Sequence, residues 1–161
     1  MSMRIFVLGV GATGSLLVKL LTRQGYQMSC GDCDPIRARD FLGARSKIEI
    51  QQVNARNLRS VVNAAKGCHL LINSCPAILN NIVMRAALRL GVHYLDTASH
   101  LSTNPFRPEQ FCFDRNFLER RRWALIHAGV APGLTNLLAA QAATELGPVN
   151  TTVSLRRSTR R

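Results

Sequence analysis

The chain alternates short apolar runs with longer segments in which apolar residues recur every three or four positions, and glycine or proline marks most of the changes. Met3 to Leu8 is a short apolar run ended by glycine and predicts a strand. Ala12 to Gln24 predicts a helix with Leu16, Leu17, Leu20 and Leu21 on its apolar face and Gly25 as its stop. Tyr26 to Gly31 reads as a weaker strand, and Pro35 to Leu42 as a short helix with proline in its first turn. The alternating stretch Lys47 to Val53 predicts a strand, and Arg56 to Ala65 a helix. Cys68 to Asn73 is apolar without alternation, the pattern of a strand buried on both faces. Ile78 to Leu90 predicts an amphipathic helix stopped by Gly91, and His93 to Asp96 a strand. Residues 99–110 carry two prolines and read as a loop. Cys112 to Arg122 reads as a helix, Trp123 to His127 as a sixth strand, Gly129 to Pro132 as a loop and Leu134 to Leu146 as a last helix.

Strands alternating with helices over short connections imply an α/β fold, a doubly wound parallel sheet with helices on both faces. Six strands of this kind fit the order 3-2-1-4-5-6 of the Rossmann dinucleotide-binding fold. The first turn sharpens that expectation. Gly9-Val10-Gly11-Ala12-Thr13-Gly14 spells G-x-G-x-x-G between a strand and a helix. Gly9 permits the tight turn, Gly11 lets backbone approach a pyrophosphate, and Gly14 lets helix and strand pack closely. Ala12 and Thr13 supply helix-start amides to the phosphates. Asp32 lies eighteen residues beyond Gly14, at the end of the second strand, where an acid accepts hydrogen bonds from ribose hydroxyls. An acid there disfavours a 2′-phosphate, so NAD is the expected cofactor. Arg37 and Arg39 just downstream leave NADP as the alternative. Asn73, Ser74 and Pro76 end the fourth strand beside the point where strand order reverses, and are expected to line the same crevice.

Composition adjusts this picture in three ways. At 161 residues and 47% hydrophobic, the chain has enough material for one packed domain. No apolar run approaches the ~18 residues of a membrane span, and the first residues lack a secretory h-region, so a cytoplasmic location is expected. A net charge of +12 raises nucleic acid as a partner. The arginines are scattered along separate helices, however, and the clusters Arg120 to Arg122 and Arg156 to Arg161 have no interleaved aromatics, which argues against that partner. Five cysteines in such a chain do not suggest a disulfide framework. Cys30 and Cys33 spell C-x-x-C, but no second ligand pair exists and their thiols point to opposite sides of a strand, so no metal is expected. His69 and His93 fall in segments expected to be packed. His127, ending the sixth strand, is the better candidate for a working histidine.

Three stretches go beyond these general signals: LGVGATG, LLINSCPAILNNIVMRAALRLGVHYLDTAS and GVAPGLTNLLAA. Together they resemble the saccharopine dehydrogenase-like family, over nearly the whole chain to about Pro148. The resemblance implies NAD(P)-linked oxidation or reduction at a carbon–nitrogen bond, with an amino-acid-like substrate. It places Asp96, Thr97 and the APGLTN loop near the nicotinamide end. It also implies a second domain that carries most of the substrate pocket and often a dimer interface. Residues 1–148 are then the dinucleotide-binding domain, and 149–161 a truncated start of the second domain or a basic tail. No general acid or base is assigned from these residues. A cofactor-binding module without catalysis, regulatory or vestigial, is the alternative reading.

Overall fold

The computed structural model describes residues 2–44, 46–99, 108–131 and 133–147. Six strands form one parallel sheet in the order β3-β2-β1-β4-β5-β6. They are β1 (Arg4–Leu8), β2 (Gln27–Asp32), β3 (Ile50–Gln52), β4 (Leu70–Asn73), β5 (His93–Asp96) and β6 (Ala124–Leu125). The helices are α1 (Ala12–Arg23), α2 (Pro35–Leu42), α3 (Leu58–Ala64), α4 (Asn80–Leu90), α5 (Asp114–Glu119) and α6 (Leu134–Leu146).

The two-residue alternation of a strand divides the core. Ile5 and Val7 of β1 join Leu70 and Ile72 of β4 against α1 and α2, with Val10, Val18, Cys30, Ala38 and Leu42. Phe6, Leu8 and Leu71 face the other way, against α3, α4 and α5, with Val61, Val83, Met84, Tyr94 and Phe117. Each fully buried Val, Leu or Phe side chain is worth about 1.5–3 kcal/mol relative to exposure, and these two clusters hold the sheet between its helix layers. β4 is buried at all four positions, as its unbroken apolar run predicts.

Several expectations need correction. The buried face of α1 is Gly14, Ser15 and Val18, with Leu17 and Leu21 packed alongside, whereas Leu16 and Leu20 are exposed. Gly14 must abut the turn after β1, and at ~100° per residue that contact rotates Leu16 and Leu20 outward. β3 is shorter than its alternating run. Residues 46–48 pass over the Arg39 guanidinium, which donates to the carbonyls of Ser46 and Ile48 at 2.9 and 3.0 Å. Glu109–Phe113 forms a 3₁₀ turn leading into α5, so that helix is shorter than Cys112 to Arg122. His69 is exposed and not in the core, and His93 is only half-buried. Both imidazoles serve the seam at the N-terminal ends of the strands. His69 Nδ1 accepts the Arg4 amide at 2.9 Å, and His93 Nδ1 accepts the Trp123 amide at 3.2 Å while its ring stacks on Trp123. In the Arg120 to Arg122 cluster, Arg120 and Arg122 donate to the carbonyls of Leu88 and Gly91 at the end of α4. The segment expected to begin a second domain lies outside the described residues.

Candidate functional site

The carboxyl ends of β1, β2, β3 and β4 open onto a cleft of about 390 Å³. The turn between β1 and α1 forms one wall of it. Gly9 has φ +88°, and a Cβ there would meet Cys75 Sγ and the Ser74 carbonyl carbon at 2.9 Å. At Gly14 a Cβ would stand 1.9 Å from the Gly9 carbonyl oxygen. These two glycines are therefore required by the fold itself. Gly11 is different, because a Cβ there has no neighbour within 4 Å and φ is an ordinary −77°. It is the N-cap of α1, and the first helical bond runs from the Ser15 amide to its carbonyl. The amides of Ala12, Thr13 and Gly14 belong to the helix start, which has no intrahelical acceptor for them.

Asp32 holds this turn in place. Its Oδ2 accepts the Val10 amide at 2.7 Å, and its Oδ1 accepts the Asp34 amide at 3.0 Å. The side chain of Val10 is meanwhile fully buried. The acid that sequence spacing marks for a ribose is thus also a strut between the glycine turn and the β2–α2 turn. That second role had no signal in the spacing. Gly9, Gly11, Asp32, Ser74 and Pro76 all line the cleft. Of the two arginines considered for a 2′-phosphate, Arg37 lines it and Arg39 does not. Arg56, on the turn after β3, lines it as well.

Burial holds the thiols in their protonated form. Burial, then the Asp32 charge, pushes the Cys75 thiol up to about 12. Cys30 is buried, raised to about 11 chiefly by burial, and sits against the Glu49 carbonyl, while Cys33 is exposed at the cleft lip. No group of three metal-ligating side chains occurs among the described residues.

Asn73 and Asp96 lie deeper than a crevice lining. Both are buried, and their side chains belong to one polar network. Asn73 Nδ2 donates to Asn80 Oδ1 at 2.8 Å and to the Tyr94 hydroxyl at 3.3 Å, and its Oδ1 accepts the Cys75 amide at 3.2 Å. Tyr94 donates to Asp96 Oδ2 at 3.0 Å, which also accepts Gln110 Nε2 at 3.1 Å. Burial and the nearby Asp96 carboxylate push the Tyr94 phenol well above its usual range, so it stays a donor. Asp96 Oδ1 accepts the His127 amide at 2.9 Å. One buried network thus fixes the turn after β4 through Asn73 and the turn after β6 through Asp96. Thr97 is half-buried beside it and outside the cleft lining. His127 has φ +62°, and its Nε2 and Gln110 Oε1 are the buried side-chain polar atoms left without a partner among the described residues. Sequence periodicity marks neither Asn80 nor Gln110, since a buried amide within a helix or 3₁₀ turn has no pattern of its own.

The saccharopine dehydrogenase NADP binding domain family matches residues 5–119. Carboxynorspermidine synthase of Vibrio cholerae serotype O1 is 33% identical over 106 residues, covering 60% of this chain and 26% of the relative. Carboxyaminopropylagmatine dehydrogenase of Synechocystis is 26% identical over 151 residues, covering 86% and 37%. Apo saccharopine dehydrogenase (L-Glu forming) from Saccharomyces cerevisiae superposes with a TM-score of 0.75 at 14% identity, over 89% of this chain and 31% of that one. Thermus thermophilus UDP-glucose 4-epimerase, solved with NAD, superposes with a TM-score of 0.58 at 13% identity, over 89% and 63%. The chain spans about a quarter to somewhat over a third of the length of the two curated relatives.

Proposed function

The chain belongs to the saccharopine dehydrogenase NADP-binding domain family, and from that premise we propose that it is the cofactor half of a dinucleotide-dependent oxidoreductase acting at a carbon–nitrogen bond. The observation that carries this reading is the contrast between Gly11 and its neighbours. Gly9 and Gly14 are packed against backbone, while the Gly11 Cα faces space that no protein atom fills. That is the approach a pyrophosphate needs. The residues around it fit the group. Amides of Ala12, Thr13 and Gly14 hold the phosphates at the positive end of α1. Asp32, already fixed by two amides, presents its remaining lone pairs to the ribose. Ser74 and Pro76 form the opposite lip. Asn73 and Asp96 act from behind, setting the turns that carry the lip and the nicotinamide end, with Thr97 next to Asp96 at that end.

The nicotinamide, when bound, supplies the hydride. This chain's residues orient it and exclude water from one side. The amine and carbonyl partners of an amino-acid-like substrate are held by a second domain of the whole protein, and the active assembly is a homo-oligomer in the cytoplasm. No helix among the described residues is long and apolar enough to cross a membrane. The test is titration of the 161-residue chain with NADH and NADPH, read by nicotinamide fluorescence. Saturable binding of either supports the reading, and the absence of binding of both overturns it. Assay of the chain with amine and oxo-acid pairs then separates an oxidoreductase half from a binding module without turnover.

A further inference from the structure

We propose that the β6 side of the sheet, away from the dinucleotide cleft, binds single-stranded nucleic acid. One base enters the cavity beside Trp123, and the flanking phosphates meet the arginines around it. The inference is independent of the dinucleotide reading. A cavity of about 260 Å³ lies between α5 and β6, walled by Phe111, Phe117, Leu118 and Trp123, with Arg122 and Asp114 in its polar lining. That volume is just below the ~300 Å³ at which pockets for drug-sized ligands begin, so it suits a single flat ring system. Trp123 is 48% exposed, and its indole stacks on the His93 imidazole at 4.5 Å between ring centroids. The Trp123 amide donates to His93 Nδ1, which fixes the pair. A ring held in this way is a platform for a further ring, and every base has a π-face to offer it.

The Arg120 to Arg122 cluster has no aromatic within it, but Trp123 follows it directly, and the fold gathers cations from other elements nearby. Arg4, Arg120 and Arg122 donate Nε to the carbonyls of Gly67, Leu88 and Gly91, at the N-terminal side of the sheet. Those bonds hold the three guanidiniums at this edge. The terminal nitrogens of Arg4 and Arg120 have no partner among the described residues. Lys66 and Arg89 are exposed beside the same turns. Residues 50–95, which contain α3 and α4, include no Asp or Glu to offset these charges. Of the carboxylates on the α5 side, Glu119 pairs with Arg115 at 2.9 Å and Glu109 holds the Asn81 amide at 2.8 Å. Asp114 is left in the cavity lining, where it can accept from the N–H edge of a base. A single strand uses both features, its bases the ring and its phosphates the forked guanidiniums. An acidic protein surface would use the arginines alone. The dinucleotide cleft opens at the opposite, carboxyl ends of the strands, so the two ligands do not compete.

Trp123 is the single tryptophan of the chain, so its fluorescence reports the site directly. The test titrates the 161-residue chain with short oligo(dT) and oligo(U) strands, with inorganic polyphosphate and with UMP. The expected result is saturable quenching of Trp123 by both strands, weakening as salt rises, and none by polyphosphate. UMP should quench only at far higher concentration, because it lacks the neighbouring phosphates. Trp123→Leu should weaken binding of a labelled strand ~10-fold or more, read by fluorescence anisotropy, while Trp123→Phe keeps most of it. Lys66→Ala with Arg89→Ala should lower affinity and flatten the salt dependence, with the fold checked by circular dichroism and NADH titration unchanged. Polyphosphate that binds as tightly as the strands, or a Trp123→Leu chain that binds them as the parent does, would overturn the proposal and leave a surface recognised by charge alone. UMP binding as tight as the strands would overturn it in favour of a small-ligand pocket. No binding of either strand at low salt would overturn it outright.

Discussion

Gly11 and Gly14 share a residue type and a turn, yet the structure gives them opposite sensitivities. At Gly14 an added Cβ meets the Gly9 carbonyl oxygen at 1.9 Å, and that oxygen is backbone that cannot swing aside. Gly14→Ala should destabilise the fold by about 1–3 kcal/mol, the cost of overpacking a tight contact. At Gly11 the same atom meets nothing. Gly11→Val should therefore change stability by less than about 1 kcal/mol, while lowering dinucleotide affinity ~10-fold or more because its methyls occupy the phosphate approach. Thermal unfolding and nicotinamide fluorescence on the same two variants check both halves. If Gly11→Val stays folded and binds as the parent does, the cradle assignment fails. Asp32→Ala mixes the two effects, since it removes a ribose acceptor and leaves the Val10 and Asp34 amides without their partner. It should lose about 1–3 kcal/mol of stability with no cofactor present. A melt of the unliganded variant measures that loss directly.

At the scale of elements, the strand order and the bounds of α2, β5 and α6 are legible from punctuation, because Pro35, Gly91 and Gly147 stop or start the chain where they stand. Asn57 is equally legible afterwards as the N-cap of α3, its Oδ1 accepting the Arg59 and Ser60 amides at 2.9 and 3.2 Å. Asn57→Ala should cost about 1 kcal/mol, and Asn57→Ser much less. What periodicity misplaced was rotation and depth. The leucines of α1 suggested one face, and packing at Gly14 chose another. The position of Asn73 at a strand end suggested a crevice, and the network through Tyr94 drew its amide inside. His93 extends the same lesson to pH. Burial, then the Arg122 charge, lowers its pKa below the ordinary 6.5, and in its neutral form its Nδ1 accepts the Trp123 amide. Well above pH 6.5 the imidazole is neutral folded or unfolded, and the contact is fully present. As pH falls, the unfolded chain takes up the proton first, so stability falls with it until the folded imidazole titrates as well. Trp123 fluorescence melts between pH 7.5 and 5 should show this slope, and His93→Gln should flatten it. An unchanged slope in that variant would assign the effect elsewhere.

For the molecule as a whole, the described residues cover one part of the sheet well and another part poorly. The helices α1 to α5 each bury at least one residue, whereas α6 buries none. Leu134, Leu137, Leu138 and Leu146 on α6 are all at least half exposed. Leu125 on the outermost strand, Val130 on the turn before α6 and Trp123 are exposed too. These residues follow β5 in the chain, on and after β6, which is an edge strand of the sheet among the described residues. A large apolar surface at a sheet edge is rarely left in water, since each Å² of it carries about 25 cal/mol of incentive to be covered. The net charge of +12 opposes contact between copies through long-range repulsion, and salt screens that repulsion without weakening apolar association. The 161-residue chain should therefore self-associate at micromolar concentration, and more strongly as salt rises. Sedimentation velocity across concentration and ionic strength measures this. Leu137→Glu with Leu138→Glu should return the chain to a monomer without altering dinucleotide affinity, because α6 lies outside the cleft lining. Association that persists in the double variant would place the contact on the β6 edge and not on α6. A monomer at every salt concentration would mean that the α6 leucines are not a surface for a second copy of this chain.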